Sequence, residues 1–236
     1  MVYDSISEYH KARTHLGKSF AIFKDIGDRV GEAFCNGNFG VFYHSVHEYS
    51  KAKTHLEKSL AFNKEIGDKP EEASCYENLG ALYGLVGEYE KARKHLEKSL
   101  AINKKIGNRR GEAFCYGNLG AVFQSVGDYS KCSEHLKKSL AIRKEIRDRN
   151  GEACCYGNLG VVYQSVGEYE KAREHVQKSL VIMKEIGNRN GEANCYGNLG
   201  AVYQSVGEYD KAREQLAKSL VMMKEIGDRK GEATCF

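Results

Sequence analysis

Tryptophan is absent from this sequence of 236 residues, and Pro70 is its only proline. Since proline is the residue that most often breaks a helix, almost the whole chain is open to helix formation. No segment approaches the roughly 18 uninterrupted apolar residues of a transmembrane helix, and the first residues lack the basic start and apolar run of a secretory signal. These absences predict a soluble, cytoplasmic protein with no membrane segment.

An excess of one sign of charge is also missing. The chain carries 36 basic and 32 acidic side chains, which leaves a formal net charge of +4. Proteins that bind nucleic acid depend on concentrated basic surfaces to neutralise phosphates. The small net charge therefore predicts no strong nucleic-acid partner.

Cysteine is abundant, with eight residues, but its spacing argues against disulfides. Equivalent atoms of stacked repeats lie about 10 Å apart, beyond the ~7 Å Cα separation that a disulfide tolerates. We therefore interpret the periodic cysteines as reduced packing residues of an intracellular protein. They are Cys35, Cys75, Cys115, Cys155, Cys195 and Cys235.

The dominant feature of the sequence is a repeat of forty residues. The blocks 150–189 and 190–229 are identical at 32 of 40 positions. A fixed period of a few tens of residues is typical of a solenoid, in which each unit buries its apolar face against its neighbours. The motif Gly-Asn-Leu/Phe-Gly marks five copies, which begin at Gly37, Glu77 (the one departure), Gly117, Gly157 and Gly197.

Each repeat predicts a hairpin of two helices. Apolar residues recur at helical spacing in both halves, and an Asp or Asn stands where the first helix needs an N-cap. We predict one array over residues 1–236, with partial units at both ends. The first helices are expected at about 29–46, 69–86, 109–126, 149–166 and 189–206, and the second helices at about 8–26, 48–66, 88–106, 128–146, 168–186 and 208–226.

The spacing of large and small residues resembles that of the tetratricopeptide repeat. Leu119 and Gly120 are followed by Phe123, by a small residue nine positions later and by Leu136 four positions beyond that. The forty-residue unit with its longer second helix, Asn-Leu-Gly in the first helix and Gly-Asp-Arg at the joint are similar to the repeats of LGN/Pins-type adaptors. The resemblance implies an all-α, right-handed solenoid of stacked antiparallel hairpins, whose first helices line a concave groove for a peptide.

The groove face of the first helices is defined here by its asparagine, glutamine and serine positions, beside small residues such as Gly117 and Ala121. An asparagine amide can pair with a peptide N–H and C=O together, so the ladder suits an extended peptide. The alternative is that each asparagine bonds within or between repeats. These predicted peptide-binding residues are Asn38, Asn78, Asn118, Asn158, Asn198, Gln124, Gln164, Gln204, Ser125, Ser165 and Ser205.

Arginines recur at the mouth of the same face, and Lys69 takes their place in one block. In the adaptors that the sequence resembles, such a column pairs with acidic residues of the bound peptide, for which a guanidinium fork is suited. The alternative is an ion pair with an acidic residue of the next unit. The predicted column is Arg29, Arg109, Arg149, Arg189 and Arg229.

Other chemistry finds no support in the sequence. The recurring histidines have no second ligand three or four residues away on their helix, so we interpret them as packing residues and predict no metal site. Periodic cysteines and histidines do not form the singular convergence of unlike groups that an active site requires. A phosphate-binding glycine loop is absent too, so we predict neither catalysis nor a cofactor.

These features together predict a protein-interaction scaffold that binds an extended, acidic peptide in its groove. One alternative is a structural array that stacks head to tail through its open ends. A second is an RNA-binding helical repeat, which the nearly identical groove positions disfavour.

Overall fold

The computed structural model describes residues 2–228 and residue 231, with the backbone alone described for residues 2–8. Helices connected by short turns form its regular structure, and no strand occurs among the described residues. The chain is all-α, as predicted. The helices are α1 (Val2–Asp25), α2 (Arg29–Ser45), α3 (Tyr49–Ile66), α4 (Lys69–Leu85), α5 (Tyr89–Ile106), α6 (Arg109–Ser125), α7 (Tyr129–Glu145), α8 (Arg149–Ser165), α9 (Tyr169–Glu185), α10 (Arg189–Ser205) and α11 (Tyr209–Ile226).

The chain divides into two compact units, Met1–Asn118 and Leu119–Phe236, with the boundary inside α6. Within the first unit, α3 packs against α2 before it and α4 after it. Within the second unit, α9 packs in the same way against α8 and α10. Contact between neighbours in sequence is the pattern of a solenoid of helix hairpins. None of the described helices is long and apolar enough to span a bilayer.

The first helices begin at the predicted N-caps. The Asp148 side chain accepts a hydrogen bond of 2.9 Å from the backbone N–H of Gly151, and Asn188 accepts one of 2.8 Å from Gly191. These bonds satisfy N–H groups that have no partner inside the helix. Pro70 lies in the first turn of α4, where its missing N–H leaves no helical bond unmade.

The second helices end in a left-handed residue, and this position is occupied by glycine in most repeats. Gly67 has φ +77° and Gly227 has φ +77°, as a C-terminal stop requires. Arg147 takes the same conformation with φ +57°, although a side chain disfavours it. The repeat geometry therefore holds even where the preferred residue is missing.

The start of α1 differs from the prediction, in which a second helix begins at about residue 8 and the residues before it are the end of a separate first helix. The structure has one continuous helix from Val2 to Asp25. The turn between paired helices uses a residue at positive φ, such as Gly87 at +80°. Ser7 stands at the equivalent position and lies within the helix, whereas His47, the equivalent residue of the next hairpin, takes the turn conformation with φ +61°.

Within each hairpin, a glycine of the first helix meets a branched residue of the second. A Cβ on Gly160 would lie 2.4 Å from Cγ2 of Val176 and 3.2 Å from the carbonyl oxygen of Ala172. Both partners are fully buried. The bare backbone of Gly160 thus sets the distance between α8 and α9.

Successive hairpins are connected by a buried serine on each second helix. The Ser179 hydroxyl donates a 2.8 Å hydrogen bond to the carbonyl of Ala153, and the Cys195 thiol donates one of 3.2 Å to Ser179. Burial raises the pKa of the Cys115 thiol to about 12, so a thiolate does not form there at neutral pH. The periodic cysteines within the described residues are unbonded to one another and buried, as predicted, and Cys235 lies outside those residues.

Two neighbouring glycines of α8 should respond oppositely to a methyl group. Gly160→Ala forces Val176 and the α9 backbone away and should reduce the free energy of unfolding by about 1–3 kcal/mol. In Gly157→Ala, the added methyl group would lie 3.5 Å from the Ser179 hydroxyl oxygen, which is an ordinary contact. This variant should increase the free energy of unfolding by about 0.5–1 kcal/mol, because alanine has a better helix propensity than glycine. Urea unfolding of both variants measures the difference. Equal destabilisation by the two substitutions would contradict the close approach at Gly160.

Candidate functional site

The five groove asparagines lie on accessible surface of the first helices. Asn158 is exposed, and the other four are half-buried. Their neighbours on this face are small or exposed, as with Gly157 and Ala121. A backbone can therefore come close to the amide groups, as an extended ligand requires.

None of the five asparagine side chains forms a hydrogen bond with another described residue. The Nδ2 atom of Asn118 is buried and lacks an acceptor in that part of the chain. A buried polar group without a partner costs about 1–3 kcal/mol. The alternative, in which each asparagine bonds within or between repeats, is not seen for these five side chains among the described residues.

A cavity of about 510 Å³ lies over the groove face of α10. Asn198, Gln204 and the small residue Gly197 line it from α10, while Arg213 and Ser219 line it from α11. The cavity is open to solvent and mixes polar with apolar atoms. Its lining also includes Leu216, Ser219 and Met223, whose equivalents Val176, Ser179 and Met183 pack against α10 in the preceding hairpin.

The glutamines and serines of the face are partly used within the protein. The Gln164 amide donates a 3.0 Å hydrogen bond to the Ser205 hydroxyl, which joins the groove faces of α8 and α10. Ser125, Ser165 and Ser205 each donate to a carbonyl four residues earlier in their own helix. Gln124 is half-buried and Gln204 is exposed. These residues can still accept or donate one further bond each.

The arginines, by contrast, already have carboxylate partners. Arg29 contacts Glu65 at 2.9 Å, at the far end of the second helix of its own hairpin. Arg149 forms the equivalent pair with Glu185 and a second one with Glu152 at 2.8 Å. The pairs lie within one hairpin, not between one unit and the next. Arg189 follows the same pattern with Glu225 and Glu192, Arg109 contacts Glu112, Lys69 contacts Glu72, and Arg229 lies outside the described residues.

Because these arginines are already paired, they attract a ligand carboxylate less strongly than unpaired arginines would. A peptide carboxylate must compete with a glutamate that is already in place. Glu185 is exposed, whereas Glu152 is buried. The hydrogen bond that Arg149 donates to Glu185 raises the pKa of Arg149. Exposed pairs of this kind contribute little to stability, on the order of 0–1 kcal/mol.

The side chain of Glu77, the residue that breaks the Gly-Asn-Leu-Gly motif, points towards the second helix of its own hairpin. Its carboxylate accepts hydrogen bonds from Asn103 at 2.7 Å and from Ser99 at 3.1 Å. The Cys115 thiol approaches it at 3.6 Å. No cation is within ion-pair distance in the described residues, so burial raises the pKa of Glu77. The charge at this position does not face a ligand. No sequence pattern predicts this network, because the partners of Glu77 lie 22 to 38 residues away from it in the chain.

The recurring histidines pack against aromatic rings, as the packing interpretation predicts. His175 lies with its ring centroid 4.8 Å from that of Tyr163, and His95 lies 5.0 Å from Tyr83. Their Nδ1 atoms are 2.8 Å from the carbonyl of Lys171 or Lys91 in the same helix. Among the described residues, no three His, Cys, Asp or Glu side chains converge as a metal site would need.

The hairpins, their glycine contacts and their polar face define a helical-repeat protein of the solenoid class. The tetratricopeptide repeat model matches residues 36–105, 71–145, 112–185 and 151–225, which together span most of the sequence. The chain belongs to the tetratricopeptide repeat family. This family model does not distinguish the LGN/Pins-type subclass, which stays a prediction. No curated protein matches the sequence.

Several solved structures share the fold at low identity. BtubC (BKLC) from P. vanneervenii is 18% identical with a TM-score of 0.80, over 93% of this chain and 92% of that one. A kinesin light chain with nearly identical TPR-like repeats from Podosopora anserina is 16% identical with a TM-score of 0.70, over 85% and 98%. A Rap protein complexed with Competence and Sporulation Factor is 18% identical with a TM-score of 0.73, over 87% and 63%. At such identities the likeness establishes the fold.

Glu77→Gln should change how stability depends on pH. Because the folded-state pKa of Glu77 is raised, its favourable contribution is complete below the unfolded value near 4.5 and is lost as pH rises through the folded value. The glutamine variant should therefore gain stability over the wild type as pH rises from 4.5 towards 7. Urea unfolding across this range measures it. Glu71→Gln, at an exposed position of α4, is the control, and an equal gain there would contradict the role of burial.

Proposed function

We propose that this protein is a scaffold that binds an extended peptide segment of a partner protein along the groove face. The observation that carries the proposal is the set of asparagine side chains without partners among the described residues. An amide that bonds to both N–H and C=O of a peptide group reads an extended backbone, and one amide per repeat supplies one contact per step. Affinity then comes from several repeats together.

Unit two carries the clearest version of this surface. Asn158 and Asn198 stand at equivalent positions of α8 and α10, and the Gln164–Ser205 hydrogen bond holds the two faces together. A fixed spacing between amides lowers the entropy that a ligand loses on binding.

The arginine column has a secondary role in this proposal. A peptide carboxylate near Arg149 would exchange with Glu185 or Glu152, so an acidic ligand gains less there than from an unpaired arginine. We therefore expect acidic character to modulate affinity and the asparagines to provide most of it. Binding without catalysis, in the cytoplasm, belongs to the same proposal.

A comparison with a solved structure of the same fold supports this type of function. A Rap protein of the same fold forms a complex with Competence and Sporulation Factor. Head-to-tail self-association and RNA binding stay predictions from the sequence.

Two double variants separate the amide and guanidinium contributions. Peptides selected on the wild-type protein from a random library are synthesised, and their affinities are measured by calorimetry. Asn158→Ala with Asn198→Ala should weaken binding about ten- to a hundredfold, since up to four hydrogen bonds of roughly 0.5–1.5 kcal/mol each are at stake. Arg149→Ala with Arg189→Ala should weaken an acidic peptide by less, about threefold to tenfold.

Stability serves as the control for both variants. Neither set of side chains is packed in the core, so urea unfolding should stay cooperative with a similar midpoint. Unchanged affinity in the asparagine variant would remove the basis of the proposal. A larger loss in the arginine variant would move recognition from the amides to the charges.

A further inference from the structure

The second helices carry an outer stripe at four exposed positions, spaced i, i+4, i+7 and i+11. On α5 these are Lys94, Lys98, Ala101 and Lys105, and all four are exposed. They lie on the side of α5 opposite its buried residues, because each is two positions, or about 200° around the helix, beyond one of those residues. The buried residues are Ala92, Leu96, Ser99 and Asn103.

This stripe has a different charge on α5 from that on the other second helices. The position of Lys94 is Thr or Glu elsewhere, and the position of Lys105 is Asp or Glu elsewhere. On α9, for example, the stripe contains Glu174, Lys178 and Glu185. The α5 stripe therefore has three positive charges and no negative one.

The two reversals leave the α5 lysines without a contacting carboxylate, and Glu90, one turn before Lys94, is paired with Arg93. On α9, Lys178 contacts Glu174 at 2.6 Å, and α7 and α11 contain the same type of pair. Lys94, Lys98 and Lys105 have no carboxylate within 4.0 Å among the described residues. Like charges four residues apart repel each other by about 0.2–0.5 kcal/mol, so a bound carboxylate would relieve this helix.

A fourth lysine joins the stripe at Tyr76. The ammonium groups of Lys64 and Lys98 lie 5.1 and 5.4 Å from the centroid of this ring. The nearby carboxylate of Glu72 is held by Lys69 at 2.6 Å. The ring of Tyr156 on α8 has the same two lysine neighbours, Lys144 and Lys178. There, both lysines have a glutamate within 4.0 Å.

We propose that the α5 stripe, with Lys64, is a docking surface for an acidic segment of a protein partner, separate from the groove face. The stripe spans 11 residues of helix, or roughly 16 Å, which matches two or three carboxylates of a short segment. A long polyanion such as nucleic acid would continue onto the exposed carboxylates of Glu90 and Glu97, which belong to the same helix. Charge complementarity of this extent favours an acidic protein segment.

Restoring the repeat pattern tests the proposal. The probe is a fluorescein-labelled poly-glutamate peptide of about 12 residues, long enough to cover roughly 16 Å. Wild-type protein should bind it, as measured by anisotropy at low and moderate salt. Lys94→Glu with Lys105→Glu gives Lys98 a partner and should weaken binding at least about tenfold. The converse change is made on α9 at Glu174 alone (Glu174→Lys), because Glu185 is the partner of Arg149, and it should increase the binding capacity.

Net charge and ligand class are controlled separately. Lys171→Glu with Lys211→Glu changes the net charge equally at lysines that contact Glu168 and Glu208, and should leave the affinity within about twofold. An equal loss in this control, or no binding by the wild type, would overturn the proposal. Tighter binding of labelled duplex DNA or of vesicles containing phosphatidylserine, lost in the α5 variant, would also overturn it. The groove residues are untouched, so these outcomes do not bear on the proposed peptide function.

Discussion

The whole repeat depends on direct contact between bare helix backbone and a branched side chain. Gly40, Gly80, Gly120, Gly160 and Gly200 all stand against Leu or Val of the paired helix, at distances that leave little or no room for a methyl group. This contact fixes the separation of the two helices, and the fixed separation places the buried serine of one hairpin against a carbonyl and a thiol. The polar face of each first helix follows from the same constraint, because the glycine side of the helix is committed to the interior.

The polar residues of the protein divide by where their partners are. Serines on the second helices, the glutamates at the hairpin ends and the arginines are satisfied by other residues of the same chain. The groove asparagines are not, although two of their neighbours, Gln164 and Ser205, bond to each other. In the proposed function, these amides are the groups that stay available to a ligand. Recognition by amides is also less sensitive to salt than recognition by charges.

Much of the fold can be predicted from the sequence, because each structural feature recurs at the same position in several repeats. The N-caps at Asp148 and Asn188, the stop at Gly67 and the packing of Cys195 all follow from spacing and residue type. The side-chain partners do not. Arg149 and Glu185 are 36 residues apart, and no local pattern identifies their pairing. Glu77 shows the same limit, since a charge in a motif of small residues suggests a surface role, whereas the hairpin geometry turns it inward. The continuous helix α1 is a further case, since helix periodicity around Ser7 does not show whether a turn interrupts the helix.

The arginine–glutamate pairs lie inside single hairpins, and this has a consequence for how such a chain can grow. A hairpin that balances its own guanidinium group can be duplicated or deleted as a block without removing the partner of that group. Gene segments encoding one period can then recombine with little electrostatic penalty, which fits the high identity of the last two blocks. The hairpin that contains Lys69 and Lys105 has lost this balance, so its copies would not be interchangeable with the others.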